Sequence, residues 1–364
     1  MPDPLHILIA TGGSGGHLYP AFAVAEEIER RWPGAAIRLT TGGRSIEREI
    51  CASAGRSAAV LPLLPSAEAK STPVSFARSL WSATRTARDL IREFQPACVV
   101  GTGGYSMTPV IHAAIRSRVP VVLLEQNAVP GRATRWFSRR AEAVCTSFET
   151  LHPPLKGSRI QQTGNPVRRS IASLASRSSK ACGSLLILGG SQGARGLNEA
   201  LGWIARDQPS VLAGHTIVHQ TGGTESAREL AEHYRAASLR ANVSPFFDDM
   251  AGIYAEASVI IARAGATTMA EVACAGLPAI LLPYPFARDR HQHVNAEAFA
   301  RAGAAIVIEQ SANAADTGRK IANALEELLR DERRIAGMAT AMKQRARPEA
   351  AGSVVDVIAS IIGR

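Results

Sequence analysis

Short continuous apolar runs alternate with helix-length amphipathic stretches, and the alternation occurs twice along the chain. In the first series the runs fall at residues 5–10, 37–40, 97–102, 119–125 and 143–147. In the second they fall at 184–189, 216–220, 258–263, 279–284 and 304–309. Strands apolar on both faces, joined by helices, belong to parallel sheets covered on both sides. The fold class expected is α/β, with two Rossmann-like doubly wound parallel-sheet domains. A length of 364 residues fits two domains at ~150 residues each. Residues 19–32 read as the first helix, ended by Pro33 and Gly34.

The domain boundary is expected near Gly164-Asn165-Pro166, after the loop-like His152-Pro153-Pro154. That gives domains at 1–165 and 166–345, with 346–364 a terminal helix packing back on the first domain. Residues 170–180, rich in small polar side chains, suit a linker or an exposed helix equally. No apolar run approaches the ~18 residues of a membrane span. Met1-Pro2-Asp3-Pro4 has no basic region before an apolar stretch, so no signal peptide is expected. Five cysteines (51, 98, 145, 182 and 274) are scattered without a C-x-x-C pair, as in a reduced protein without a structural zinc.

The 41 basic and 31 acidic residues leave a net charge of +10, which attracts polyanions: nucleic acid, anionic membrane or a phosphorylated substrate. Aromatic residues make up only 5% of the chain, and no basic run is interleaved with stacking aromatics. Nucleic acid is therefore not an expected partner.

Glycine-rich turns stand at the ends of several strands. Thr11-Gly12-Gly13-Ser14-Gly15-Gly16-His17 follows the first and opens the first helix, where a helix N-terminus suits a phosphate or a polar sugar. The spacing is neither the dinucleotide G-x-G-x-x-G pattern nor a P-loop, and Thr41-Gly42-Gly43 occupies the end of the second strand, where an acidic residue would be expected. Gly101-Thr102-Gly103-Gly104-Tyr105 and Gly189-Gly190-Ser191-Gln192-Gly193-Ala194 repeat the arrangement. Ligands of open α/β sheets bind at these carboxyl ends, so turns in both domains point to a cleft between them. In Arg263-Ala264-Gly265-Ala266-Thr267-Thr268-Met269-Ala270-Glu271, Thr268 and Glu271 have the spacing of a capping box, or Glu271 accepts the hydroxyls of a ribose. Asp289, His291 and His293 lack metal-ligand spacing.

Taken in order, residues 12–17, 102–105, Glu125-Gln126-Asn127, Gly164-Asn165-Pro166-Val167-Arg168, 189–194, 263–271 and 289–295 resemble the MurG family. These are the bacterial N-acetylglucosaminyltransferases of peptidoglycan synthesis, in glycosyltransferase family 28. The resemblance spans roughly residues 5–310. It implies the GT-B fold and inverting transfer of N-acetylglucosamine from UDP-GlcNAc to the 4-hydroxyl of the muramoyl unit of lipid I, giving lipid II and UDP. Lipid I is an undecaprenyl-diphosphate-linked muramoyl pentapeptide. Another GT-B glycolipid glycosyltransferase is the alternative. The donor contacts implied are Ser14, Gly15, Gly16, Asn127, Arg168, Ser191, the backbone of Phe247 against uracil, Ala266, Thr267, Thr268, Met269, Ala270, Glu271 on the ribose, and Gln292 on the sugar. Gly103, Gly104 and Tyr105 fall on the acceptor side. Leu124, Ser106-Met107-Thr108 and His291 depart from frequent family residues, and serine replaces threonine at Ser14.

Inverting displacement needs a base for the acceptor hydroxyl and stabilisation of the leaving UDP. His17 is the first candidate base, or a residue holding the acceptor, and Glu125 the second. The sequence has no D-x-D, so no essential metal or other cofactor is expected, and helix N-termini near Ser191 and Thr268 face the diphosphate. The expected partners are UDP-GlcNAc, lipid I, the anionic inner-membrane surface and other wall-synthesis proteins. The expected location is peripheral, on the cytoplasmic face of that membrane. Arg78, Arg85, Arg88 and Arg92 form one helical stripe with Phe76, Leu80 and Trp81 beside it, and Trp136 and Phe137 lie among Arg132, Arg135, Arg139 and Arg140. These are the candidate membrane contacts.

Overall fold

Alternate residues of the first strand enter different cores, each covered by its own helices. Ile7 and Ile9 of β1 (His6–Ala10) cluster with Leu18, Phe22 and Ala25 of the helix Gly15–Arg31, and with Val354, Val355 and Ile358 of the last helix, Ala350–Ile362. Leu8 and Ala10 cluster instead with Ala83 and Ala87 of the helix Pro73–Phe94 and Val110, Ile111 and Ala114 of the helix Thr108–Arg116. A strand apolar on both faces can be stable only in such a sandwich, where each buried Leu or Ile contributes ~1.5–3 kcal/mol.

The computed structural model describes residues 4–65, 68, 71–157, 159–177, 183–190 and 193–364. It divides into two compact units, Met1–Arg168 with Glu349–Arg364, and Arg169–Pro348. The first holds a seven-stranded sheet in the order β3-β2-β1-β4-β5-β6-β7. The further strands are β2 (Ala36–Thr41), β3 (Ala59–Val60), β4 (Cys98–Gly101), β5 (Val121–Glu125), β6 (Ala143–Thr146) and β7 (Ile160–Gln162). The second holds six in the order β10-β9-β8-β11-β12-β13. These are β8 (Ser184–Leu188), β9 (Ile217–Gln220), β10 (Ala241–Ser244), β11 (Ala257–Ala262), β12 (Ala279–Leu281) and β13 (Ala305–Val307). Every pairing is parallel. The alternation of runs in the sequence thus becomes two doubly wound sheets.

Three strands have no counterpart among the expected runs: β3, β7 and β10. Each is a sheet edge. An edge strand has one neighbour and partly exposed side chains, so its sequence lacks the continuous apolar signal. The first helix begins at Gly15 rather than at residue 19, because its opening glycines carry no helix propensity of their own. Residues 169–176 are helical, with Ile171 and Leu174 buried, so the first part of 170–180 is a packed element; 178–180 lie outside the described residues. The last helix lies in the first unit's core and pairs Asp356 with Arg31.

Strand order reverses between β1 and β4 in the first sheet and between β8 and β11 in the second. The segments leaving these four strands are the glycine-rich turns 11–14 and 102–104, the stretch that starts at Gly189, and the segment 263–265. Such switch points open a crevice at the carboxyl ends of a parallel sheet.

Beneath the second switch point lies a buried polar chain. His219 on β9 bonds the Tyr234 hydroxyl at 2.9 Å and Asn198 Oδ1 at 3.2 Å, and Asn198 donates to the Thr221 carbonyl at 3.1 Å. Burial lowers the His219 pKa to about 3 from its ordinary 6.5, so the ring is neutral in the folded chain. Unfolded, it binds a proton below pH 6.5. Stability contributed by the neutral ring is therefore complete above that pH and lost as pH falls towards 3, at ~1.4 kcal/mol per pH unit. Urea unfolding at pH 7 and pH 5 should show a smaller loss of stability on acidification in His219→Gln than in the parent. Equal losses would exclude His219 as the source.

Candidate active site

In the first unit the switch-point turns meet at backbone distance. Gly12, Gly13, Gly103 and Gly104 have φ of +136°, +92°, +105° and +78°. A Cβ at Gly104 would stand 2.6 Å from the Gly12 carbonyl oxygen, so glycine is required by contact as well as by conformation. His17, the third residue of its helix, lays its ring into this junction. A Cβ at Gly103 would stand 2.6 Å from His17 Nδ1, and one at Gly104 3.3 Å from Cδ2. The Thr102 hydroxyl donates to the His17 carbonyl at 3.1 Å, and the Ser106 hydroxyl to the Thr11 carbonyl at 3.0 Å. Ser14 caps the helix through its backbone, its carbonyl accepting His17 N–H at 3.1 Å, and Gly15 and Gly16 follow as the first two helical residues. The structure thus gathers Ser14, Gly15, Gly16, His17, Gly103 and Gly104. Tyr105 stacks on Phe76 at 5.5 Å beside them. The Gly13 N–H, just before the helix, bonds the buried Glu47 carboxylate.

At the end of β5, Glu125 accepts Asn127 N–H at 3.1 Å and Gly131 N–H at 2.9 Å, with further bonds from the side chains of Thr134 and Asn127. Burial raises its pKa while these donors lower it. Both oxygens belong to its own loop. Glu125 therefore braces Asn127. Gln126 links this loop to the neighbouring turn by donating to the Thr102 carbonyl at 2.6 Å. Arg168 stacks its guanidinium over Tyr19 of the first helix at 4.5 Å.

In the second unit the turn after β8 needs Gly193, at φ +73°, because a Cβ there would stand 2.8 Å from the Thr221 carbonyl oxygen. Ser191 lies outside the described residues. After β11, the helix Ala266–Ala275 starts from Gly265 without a side-chain cap. Thr268 is its third residue and Glu271 its sixth, so the capping box does not form. Glu271 instead accepts a hydrogen bond from the buried Tyr254 hydroxyl at 3.0 Å. Ala266 and Thr267 are buried at the helix start, and Thr268 and Ala270 are half-buried. Met269 is corrected as a ligand contact: its side chain is core and its N–H bonds the Gly265 carbonyl at 2.9 Å.

Arg263 is buried and donates to Leu282 O at 3.0 Å and Gln310 Oε1 at 2.6 Å; burial lowers its pKa. Asn295 donates to Ala264 O at 3.2 Å, and Gln292 Oε1 accepts Tyr284 N–H at 2.9 Å. The 263–265 turn, the loop after β12 and the helix His291–Arg301 are thereby tied together. Within that loop Asp289 and Arg290 hold φ of +51° and +52°, a strain of ~1–3 kcal/mol each, of the kind that collects at ligand sites. Phe247 donates its N–H to Gln220 Oε1 at 3.4 Å. His291 bonds Arg288 O at 2.7 Å and His293 pairs with Glu297 at 2.9 Å. Sequence reasoning missed Glu47, Gln220 and Tyr254, which reach the site from other elements and leave no local signature.

The Glycosyltransferase family 28 N-terminal domain matches residues 7–146, and the Glycosyltransferase family 28 C-terminal domain matches 184–354. The chain is 38% identical to the UDP-N-acetylglucosamine--N-acetylmuramyl-(pentapeptide) pyrophosphoryl-undecaprenol N-acetylglucosamine transferase of Ectopseudomonas mendocina, over 98% of this chain and 99% of that one. It is 36% identical to the protein of the same name from Nitratidesulfovibrio vulgaris, over 98% and 97%. The crystal structure of Acinetobacter baumannii MurG superposes with a TM-score of 0.75 at 29% identity, covering 98% of this chain and 100% of that one. A UDP-N-acetylglucosamine 2-epimerase superposes at 0.67 with 15% identity over 99% of this chain and 97% of its own, a likeness of fold alone. The chain belongs to the MurG family within glycosyltransferase family 28.

Proposed function

We propose that this chain transfers N-acetylglucosamine from UDP-GlcNAc to the muramoyl 4-hydroxyl of lipid I, with inversion, giving lipid II and UDP. The observation that carries the reading is full-length identity of 38% to a transferase of that name. The acceptor oxygen forms a bond to the anomeric carbon as the bond from that carbon to the UDP oxygen breaks. The hydroxyl proton goes to the base, and the electron pair leaves on UDP.

His17 is the base in this reading. An imidazole exchanges protons near neutral pH, and this one lies against the Gly103–Gly104 turn. The second unit receives the donor. The start of the helix Ala266–Ala275 faces the diphosphate with its positive dipole end, and Glu271, fixed by Tyr254, takes the ribose. Gln292 reaches the sugar from a helix anchored to the 282–290 loop.

Lipid I is membrane-borne, and among the described residues no helix is long and apolar enough to cross a membrane. In this reading contact with the cytoplasmic membrane surface is peripheral. The helix Pro73–Phe94 exposes Arg78, Arg85, Arg88 and Arg92, and Trp81 is 67% exposed with Arg85 over its ring at 5.9 Å. Trp136, 70% exposed, stands among exposed Arg132, Arg135, Arg139 and Arg140. Phe137, at 2%, is core, and Leu80 is half-buried, so the insertion expected of them falls to the two tryptophans. Each basic residue near an anionic surface contributes ~1 kcal/mol.

Radiolabelled UDP-GlcNAc incubated with a lipid I analogue should yield lipid-linked label. Without acceptor the donor should remain unchanged; its conversion to another sugar nucleotide would mark an epimerase instead. His17→Ala should lower kcat by ~10²–10⁴ with UDP affinity intact, and a parental kcat would remove His17 from the chemistry. Gly103→Ala, which drives a methyl into the His17 ring, should lower kcat by ~10² at constant UDP affinity. Changing Arg78, Arg85, Arg88 and Arg92 to Gln should weaken sedimentation with anionic vesicles in a salt-sensitive way. Undiminished vesicle binding would place the membrane contact elsewhere.

A further inference from the structure

The helix Ser45–Ser53 carries Glu47, an ionisable residue only 1% exposed. Its Oε1 accepts the Gly13 N–H, and its Oε2 accepts the Arg44 N–H at 3.1 Å. The Arg44 guanidinium turns to the same glycine and donates to the Gly13 carbonyl at 2.7 Å. Both polar backbone groups of Gly13 are thus held from the start of one helix.

The neighbouring glycines make room for the carboxylate. A Cβ at Gly12 would stand 2.9 Å from Glu47 Oε1, and one at Gly42 3.6 Å from Oε2. Of the two glycines after β2, Gly42 lies against this carboxylate and Gly43 against Val60. On its other side the same turn faces the histidine. A Cβ at Gly13 would stand 3.9 Å from His17 Cδ2, and the Gly12 carbonyl abuts Gly104. A continuous line of contacts therefore runs from Glu47 through Gly12 and Gly13 to His17 and the Gly103–Gly104 turn. A buried carboxylate is costly unless it receives charge-assisted hydrogen bonds, and here those bonds come from the backbone it orients.

We propose that Glu47 is a positioning residue for the transfer, holding the Gly12–Gly13 turn so that His17 keeps its place between the two glycine turns. This rests on the reading of His17 as the base.

The test compares Glu47→Ala and Glu47→Gln in the full chain, each alone and combined with His17→Ala. Turnover is measured with radiolabelled UDP-GlcNAc and a lipid I analogue, UDP affinity by calorimetry, and Tm for each variant. Glu47→Ala should lower kcat about 100-fold, with donor KM and UDP affinity within about twofold of the parent. Glu47→Gln keeps an oxygen for Gly13 and should recover about tenfold of that loss. In the His17→Ala background either change should lower the residual turnover by less than about twofold, because the group being positioned is gone. Parental kcat in Glu47→Ala overturns the proposal. So does an equal fold-loss with and without His17, which would mark a general structural role. If Glu47→Ala does not fold, Glu47→Gln decides by the same comparison, and parental kcat in it overturns the proposal. A parental kcat in His17→Ala alone removes the base reading on which the proposal rests.

Discussion

Two backbones in contact, with no side chain between them, set the geometry of the first unit's site. Parallel strands β1 and β4 are neighbours although they are far apart in sequence, so the turns leaving them converge. Gly12 and Gly104 meet there at a distance that excludes a Cβ, and the His17 ring lies against the Gly103–Gly104 turn. Ser106, Thr102 and Gln126 all donate to carbonyls of this junction or its rim. Such a site is rigid because its spacing is set by van der Waals contact of main chain. A displacement of one turn moves the other.

The parts of this arrangement that were legible in the sequence are those encoded locally. A glycine cluster directly after an apolar run predicts a turn at a strand end, and the repeated pattern predicts the sheets. The edge strands β3, β7 and β10 escaped because partial exposure breaks the apolar run that announces a buried strand. The spacing of Thr268 and Glu271 suggested a cap because the rule assumes the helix begins after Thr268; it begins at Ala266. Glu47 was invisible for the opposite reason. Nothing about its neighbours in sequence says that a carboxylate on the helix after β2 will reach the turn after β1, which is a consequence of strand order.

Three buried carboxylates illustrate how little residue type says about role. Glu125 takes its donors from the loop that follows it, so its bonds stabilise one local conformation. Glu47 takes Gly13 N–H from a different strand's turn and couples two segments of the fold. Glu271 is held by a hydroxyl from the helix Met250–Glu256, which fixes it from outside its own helix. All three meet the requirement that a buried polar group be hydrogen-bonded. They differ in whether those bonds come from nearby in sequence or from across the fold, and it is the second kind that transmits position.

The two units therefore solve the same topological problem with different chemistry. At the first switch point the carboxylate is turned inward onto a glycine amide, and what remains in the junction is an imidazole, a group suited to receiving a proton. At the second, Arg263 directs its guanidinium into carbonyls and Gln310, fixing the loop after β12 rather than offering a charge to a ligand. What that loop and the uncapped helix at Ala266 then provide for an anion is oriented backbone and the helix dipole. A diphosphate leaving group needs its developing charge met by donors already in place, since groups that must reorganise stabilise a transition state less. In the reading proposed above, the turn and loop that buried Arg263 and Asn295 hold through the Leu282 and Ala264 carbonyls supply such fixed donors, which would give the burial of these two polar side chains a functional reason as well as a structural one.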